Sequence, residues 1–233
     1  MLWTHSPPAV HAAKQVTTTI PIVFGVASDV IEQGLGAGSQ ARPAGNITGV
    51  ELRDLEIMGK RLELIKHAVP TASRIAVLVD ATNSTHARVP GNIEEEARTL
   101  KVHFQRIEAS TPEDIENVFA AISADALMIP EGAMFSQNRG RIFEIATSKR
   151  LPTMAGGQQF AEAGGLFSYG ANIVETCRRS ASFVDKLRNG SKPQELPIER
   201  PTKFEFVVNL TTAKQIGVRI PPNALAQADR VIK

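Results

Sequence analysis

Small and polar residues follow several short apolar runs of the sequence, at the points where predicted strands end. These strand-end segments are Thr4-His5-Ser6, Ala27-Ser28-Asp29, Asp80 with Thr82-Asn83-Ser84, and Pro130-Glu131. In open α/β sheets, ligands bind outside the carboxyl ends of the strands, so these segments are the candidate ligand contacts. Ser6 also opens a predicted helix, whose backbone N–H groups and dipole favour an anion such as a carboxylate.

The sequence shows no reactive constellation of the kind that an enzyme needs. Ser168 in the segment GLFSYG lies one residue out of place for a nucleophile elbow. The histidines lack metal-ligand spacing, and Cys177 lies among apolar residues of a predicted helix, which is typical of a core residue. We therefore expect a binding protein with no catalytic residue, no metal and no cofactor.

Composition excludes several other classes of protein. Of the 233 residues, 42% are hydrophobic and 21% are charged, which is too apolar for intrinsic disorder. The net charge is only +2, and the basic residues are interspersed with acidic ones, so we expect no nucleic-acid binding. The single cysteine excludes an internal disulfide. We find no apolar run of the roughly 20 residues that a membrane helix needs.

Short apolar runs alternate with amphipathic helical patterns along nearly the whole chain. The predicted strands are residues 2–4, 20–26, 46–50, 74–80, 102–107, 126–129, 152–154 and 204–209. The predicted helices are residues 9–15, 55–69, 92–101, 112–123, 135–149, 173–187, 211–216 and 225–231. Repeated strand–helix units predict an α/β fold with parallel sheets, and a junction at Ala72-Ser73 favours two sheets over one.

Seven segments of the chain occur together in a known family. They are residues 17–24 (TTTIPIVF), 44–50 (AGNITGV), 60–65 (KRLELI), 74–79 (RIAVLV), 163–170 (AGGLFSYG), 201–206 (PTKFEF) and 213–217 (AKQIG). Over essentially its whole length the chain resembles the ABC-transporter substrate-binding proteins of the tryptophan/tyrosine-binding-like family. The resemblance implies a type I periplasmic-binding-protein fold, with two Rossmann-like lobes and a hinge of crossing strands.

The resemblance also implies a division of the chain into lobes. The N-terminal lobe would hold residues 1–72 and 173–189, the C-terminal lobe residues 73–167, and the hinge crossing residues 168–172. The tail, residues 190–233, is assigned to neither lobe. Family members begin with a signal peptide and a strand–helix–strand–helix stretch that this chain lacks, so we expect an incomplete first lobe. Either a misassigned start or a true truncation would explain this difference.

By resemblance, the protein is the substrate-binding component of an ABC-type importer. It would capture a small amino-acid-like solute between its lobes and deliver it to the membrane permease, as a periplasmic monomer; without a signal peptide the chain as given would stay cytoplasmic. The expected ligand-binding residues are Thr4, Ser6, Ser28, Asp29, Asn83, Ser84, Phe160 and Tyr169.

These residues have separate expected roles. Helix N-termini at Ser6 and Ser84 would hold the ligand carboxylate, and Asp29 would pair with its ammonium group. Phe160 and Tyr169 would pack on an apolar ligand side chain. Three alternatives stay open: an effector-sensing domain of a transcription regulator, an α/β enzyme, and a truncated remnant that no longer binds a solute.

Overall fold

The computed structural model describes residues 1–31, 33–35, 37–38 and 43–233. Its strands are β1 (Leu2–Thr4), β2 (Ile22–Ser28), β3 (Ala37–Gly38), β4 (Pro43–Ala44), β5 (Ile47–Leu52), β6 (Arg74–Asp80), β7 (His103–Ala109), β8 (Ala126–Ile129), β9 (Thr153–Ala155), β10 (Phe167–Ala171), β11 (Phe204–Asn209) and β12 (Arg230–Ile232). Its α-helices are α1 (Pro7–Val16), α2 (Met58–Ala68), α3 (Val89–Thr99), α4 (Asp114–Ala121), α5 (Ala133–Gln137), α6 (Arg139–Ser148), α7 (Gln158–Glu162), α8 (Ile173–Arg188), α9 (Leu210–Ile216) and α10 (Pro222–Leu225). Two 3₁₀ helices span His86–Arg88 and Pro193–Glu195.

The chain divides into two compact units. Unit 1 is Met1–Arg53 with Ala171–Lys203, and unit 2 is Asp54–Gly170 with Phe204–Lys233. This division differs from the lobes expected from the sequence, which placed the first boundary at residue 72. Residues 54–72 belong to unit 2, because α2 buries its apolar face in the core of that unit. The tail that the sequence left unassigned is shared between the units, and the predicted hinge segment contains the boundary at 170–171.

Unit 1 is built around a parallel sheet of three strands in the order β1-β2-β5. Side chains of a strand point alternately to its two faces, and β2 buries both. Ile22 and Phe24 pack with Val10 of α1, whereas Val23 packs with Phe183 of α8 on the other face. The continuous apolar run of β2 is therefore explained by a helix on each side of the sheet.

Unit 2 contains a seven-stranded sheet in the order β12-β11-β10-β9-β8-β6-β7. The pairings of β6 with β7 and β8, of β9 with β8 and β10, and of β11 with β12 are parallel. Alternation along β6 again separates two cores: Ile75 and Val77 pack on the face of α2 and α3, and Ala76 and Leu78 pack on the face of α4 and α6. The loops that follow the strands of this sheet contribute to a polar cluster, formed by Asp54, Arg61, His86, Glu131 and Gln159.

The predicted helix over residues 225–231 is wrong. Helix α10 ends at Leu225, and residues 230–232 form β12, an edge strand that pairs with β11 through Val208 and Val231. The Asp229 carboxylate accepts the backbone N–H of Phe206 at 2.8 Å, which fixes the entry to this strand. Pairing between distant segments thus overrides a local helical pattern.

Two predicted helices have different bounds in the structure. The helix expected over 135–149 is two helices, α5 and α6, separated at Asn138. The Asn138 side chain donates to the carbonyl of Met134 at 2.8 Å. This hydrogen bond to the last turn of α5 competes with a continuous helix. Helix α3 begins at Val89, before the expected residue 92, and holds Pro90 in its first turn, where proline is tolerated.

Candidate functional site

Ser6 is the N-cap of α1, as the Ser-Pro-Pro pattern predicts. Its Oγ accepts the backbone N–H of Ala9 at 3.4 Å, and Pro7 occupies the first turn. Thr4 is the last residue of β1. Its Oγ1 is buried and makes no hydrogen bond to any described residue. Both residues lie at the carboxyl end of β1, the sheet edge that the sequence nominates for ligand contacts.

Ser28 and Asp29 lie at the carboxyl end of the neighbouring strand, β2. Ser28 pairs with Leu52 of β5, and the Asp29 backbone N–H donates to the Leu52 carbonyl at 3.1 Å. Asp29 adopts a left-handed conformation, with φ of 55°, and is only 1% exposed. Asp and Asn adopt this conformation more readily than most residues, so Asp29 ends the strand at small backbone cost.

A buried carboxylate, Glu51, lies close to these strand ends and was missed by the sequence analysis. Its Oε1 accepts the backbone N–H of Ile31 at 2.9 Å. Its Oε2 forms ion pairs with Arg200 at 3.4 Å and with Arg53 at 3.9 Å. The sequence signal was a single acidic residue inside the apolar strand 47–52, which is typical of a paired buried charge.

In unit 2, the loop after β6 is folded by its own polar side chains. Asp80 Oδ1 accepts the backbone N–H of Thr82 at 2.9 Å and its hydroxyl at 2.6 Å. The Asn83 side-chain oxygen accepts the N–H of Thr85 at 3.0 Å. Ser84 is exposed, and the residue before the 3₁₀ helix is Thr85. The sequence analysis expected Ser84 at the start of an α-helix, and the structure does not place it there.

The two aromatic candidates have different environments. Phe160 is fully buried in the core of unit 2, where it packs edge-on against Phe143 with ring centroids 6.1 Å apart. This burial corrects the expectation that Phe160 faces a ligand, because the helix α7 turns its ring into the core. Tyr169 on β10 keeps some exposure and stacks on Phe204 at 5.9 Å.

A buried ion pair lies below the strand ends of unit 2. Arg61 on α2 is 1% exposed, and its Nη2 donates to Asp54 Oδ1 at 2.5 Å. Its Nε donates to the carbonyl of Tyr169 at 2.7 Å, and Nη2 also contacts the carbonyl of Gly156 at 3.3 Å. Burial favours a raised pKa for Asp54, but the Arg61 charge and hydrogen bond outweigh it and the pKa lies below its usual value.

His86 joins two of the strand-end loops of unit 2. Its Nδ1 accepts the backbone N–H of Asp80 at 2.9 Å, so that nitrogen carries no proton. Nε2 is therefore the protonated nitrogen, and it donates to the carbonyl of Glu131 at 2.8 Å. Burial lowers the pKa of His86, which agrees with a neutral ring held by these two bonds.

Glu131 follows β8 and meets Gln159, which follows β9. The Gln159 Nε2 donates to Glu131 Oε1 at 3.1 Å, and the backbone N–H of Glu131 donates to Asp54 Oδ2 at 3.0 Å. Burial, together with the negative charge of Asp54, raises the pKa of Glu131 to about 7. The sequence analysis nominated the Pro130-Glu131 loop but did not identify Gln159, Asp54 or Arg61 as its neighbours.

The described residues contain neither a metal centre nor a helix that could span a membrane. Within 1–31, 33–35, 37–38 and 43–233, no group of three His, Cys, Asp or Glu side chains is arranged to hold a metal ion. The helices of the same residues are all too short or too polar to cross a bilayer.

The sequence profile of the ABC transporter substrate binding protein family matches residues 4–232. The chain belongs to this family. The tyrosine-binding protein of Clostridioides difficile (strain R20291) is 21% identical over 221 residues, which cover 94% of this chain and 63% of that protein. The chain thus spans less than two thirds of the length of this curated relative.

Solved structures show the same fold for this family member. The ABC domain from Streptococcus pneumoniae in complex with L-Trp matches with a TM-score of 0.91 at 20% identity, over 100% of this chain and 80% of that one. A conserved domain protein from Vibrio cholerae matches with a TM-score of 0.91 at 23% identity, over 99% and 77% of the two chains. The predicted type I periplasmic-binding-protein fold, α/β with mostly parallel sheets, is confirmed.

Proposed function

We propose that this family member is the solute-binding component of an ABC importer and that its solute is a small amino acid or a close analogue. The family match over residues 4–232 carries this proposal. The names of two relatives support the amino-acid class, because one is a tyrosine-binding protein and the other was solved with L-Trp. The proposed partner is a membrane permease that receives the solute, and the proposed working compartment is the periplasm, where the protein acts as a monomer.

In unit 1, the proposed contacts are the residues at the carboxyl ends of β1 and β2. The N-terminus of α1, capped by Ser6, offers backbone N–H groups to a ligand carboxylate. Thr4 supplies a hydroxyl whose oxygen is buried without a partner among the described residues. Ser28 and Asp29 extend the same sheet edge, which is where ligands of α/β folds bind.

In unit 2, the proposed contacts surround the loops that follow β6 and β8. Ser84 is exposed and offers a hydroxyl, while the Asn83 side-chain oxygen is already engaged by Thr85 and leaves its amide N–H₂ for a ligand. Tyr169 is half-buried and stacks on Phe204. An aromatic or aliphatic ligand side chain would pack there through its apolar surface.

A thermal melt of the purified chain with and without a panel of the twenty amino acids tests this function. A ligand at one hundred times its dissociation constant stabilises the folded state by about 2.7 kcal/mol. For a chain of this length that corresponds to a rise in Tm of roughly 5–10 °C. We expect a concentration-dependent rise for one amino acid or a few related ones. A cooperative melt that none of the twenty shifts would contradict the proposal.

A further inference from the structure

Glu131 and Gln159 share a cradle formed by two glycines. A Cβ on Gly156 would lie 2.8 Å from Cδ of Glu131, and one on Gly157 would lie 2.6 Å from Oε1 of Glu131 and overlap Oε1 of Gln159. A side chain at either position would therefore displace the ends of Glu131 and Gln159 from the places they now occupy. The two side chains are joined by the hydrogen bond from Gln159 to Glu131 near the carboxyl ends of β8 and β9, and both keep partial exposure.

This pair has more hydrogen-bond acceptors than donors. Among the described residues, the Glu131 carboxylate accepts only from Gln159, and Oε1 of Gln159 is buried without any partner. The neighbouring cation, Arg61, is 1% exposed, and its nitrogens are engaged by Tyr169, Asp54, Gly156 and Met58. The cluster therefore has unused acceptors and, among the described residues, a carboxylate in no direct ion pair with Arg61, which suits a ligand group with several N–H donors and a positive charge.

We propose that Glu131 and Gln159 bind the ammonium group of the solute. This inference rests on the proposed function and deepens it, because it restricts the ligand to molecules that carry a protonated amine. It also reassigns the role that the sequence analysis gave to Asp29, which is 1% exposed in unit 1.

A proton is released when the ammonium group binds. The backbone N–H of Glu131 donates to Asp54, which is itself paired with Arg61. The Glu131 carbonyl accepts from His86 and its carboxylate accepts from Gln159, while His86 accepts from the Asp80 N–H. Burial and Asp54 raise the pKa of Glu131 to about 7, so the group is partly protonated near neutrality. A ligand cation favours the ionised form, and affinity should fall by up to about tenfold per pH unit below pH 7.

Isothermal titration calorimetry with matched ligands and variants tests this inference. The probes are L-tryptophan, L-tyrosine, and indole-3-propionate, which keeps the carboxylate and ring of tryptophan but lacks the ammonium group. The variants are Glu131→Gln, Asp29→Asn, and Glu94→Gln as the control, since Glu94 is an exposed residue of α3. Wild-type protein is also titrated from pH 5.5 to 8 in two buffers of different ionisation enthalpy. The difference in binding heat between the buffers gives the number of protons released per ligand bound.

We expect Glu131→Gln to weaken binding of the amino acid at least tenfold, to leave indole-3-propionate within twofold, and to abolish proton release. Glu94→Gln should match the wild type. Three results would overturn the inference while leaving solute binding intact. Glu131→Gln could bind the amino acid as the wild type does, or wild-type binding could be independent of pH. Alternatively, Asp29→Asn alone could remove the preference for the amino acid over indole-3-propionate. If neither amino acid binds wild-type protein at any pH, the inference fails, and the twenty-amino-acid panel decides separately on the proposed function.

Discussion

Arg61 and Asp54 are the most deeply buried charged pair of unit 2, and each depends on the other. Arg61 is 1% exposed and Asp54 is 5% exposed, at 2.5 Å from each other. Removing one partner of such a pair leaves a buried charge without compensation, at a cost of about 3–5 kcal/mol. Replacing both by uncharged residues removes the two desolvation costs together.

We therefore expect strong coupling between these two positions in a double-mutant cycle. Arg61→Met should lower the free energy of unfolding by about 3–5 kcal/mol, whereas the double variant Asp54→Asn/Arg61→Met should lose much less than the two single losses added together. The control is Lys60→Met on the same helix, whose exposed ion pair with Glu63 contributes at most about 1 kcal/mol. Urea unfolding of the wild type, Arg61→Met, Asp54→Asn, the double variant and the control measures this, and additive losses would contradict the account.

Glu131 gives unit 2 a pH dependence of known sign. Its pKa is about 7 in the folded chain against an ordinary value of 4.5, so the folded state binds more protons between these two pH values. The contribution of Glu131 to stability therefore decreases by an amount on the order of 3 kcal/mol as the pH rises from about 4.5 to about 7, and it changes no further above that pH.

Glu131→Gln removes this contribution, because glutamine does not ionise. Relative to the wild type, the variant should gain stability as the pH rises through that window, by about 2–3 kcal/mol in total. Denaturant melts at pH 4.5, 5.5, 6.5 and 7.5 give the difference, and Glu94→Gln should run parallel to the wild type. A constant difference between Glu131→Gln and the wild type over the four pH values would show that Glu131 does not titrate in this range.

The local signals in the sequence identified the residues whose partners are close along the chain. Ser6 caps α1 through Ala9, three residues away, and the Ser-Pro-Pro segment was enough to predict it. The neighbours of Glu131 could not be predicted in this way, because Asp54 and Gln159 lie 77 and 28 residues from it in sequence. Phe160 was misplaced for the same reason: only the packing of α7 shows that its ring faces Phe143.

Close backbone approach between elements of unit 2 requires glycine at one position. Gly170 of β10 lies against the segment after β9, and a Cβ there would overlap the carbonyl oxygen of Gly156. Gly156 is also the residue whose carbonyl accepts from Arg61 and whose missing side chain leaves room for Glu131. A substitution at Gly170 would therefore displace the elements that position the polar cluster.

We expect Gly170→Ala to destabilise the protein by about 1–3 kcal/mol or more, as overpacking does. Gly91→Ala is the matched control: it lies in α3 with no atom within 4 Å of the added Cβ, and alanine should stabilise the helix by up to about 1 kcal/mol. Thermal melts of the two variants should shift in opposite directions. Equal shifts would refute the argument that this contact determines the residue at 170.

At the scale of elements, hydrophobic periodicity predicted most strands and helices. It failed where a segment becomes a strand only by pairing with a distant one. Strands β6 and β8 have the bounds expected from their apolar runs, because both are buried on two faces. Strand β12 was missed, since three residues at a sheet edge become a strand only through β11. Helix α2 was predicted, but the unit to which it belongs depends on the core that it packs against.

For the whole molecule, the fold and the family were accessible from the sequence through the resemblance, and the comparisons confirm both. The identity of the solute could not be predicted from the sequence. Ligand choice depends on which side chains meet at the strand ends, and the acceptors of Glu131 and Gln159 became visible only in three dimensions. We propose that this α/β fold as a whole binds one class of amine-bearing solute.

Equilibrium dialysis of the purified chain against an equimolar mixture of the twenty amino acids tests that claim most directly. Mass spectrometry of the protein compartment measures which amino acid is retained and at what ratio to protein. We predict enrichment of one amino acid, or of a few chemically related ones, approaching one molecule per chain. The control is the same dialysis with serum albumin in place of the protein. If no amino acid is more concentrated in the protein compartment than in the albumin compartment, the account is contradicted.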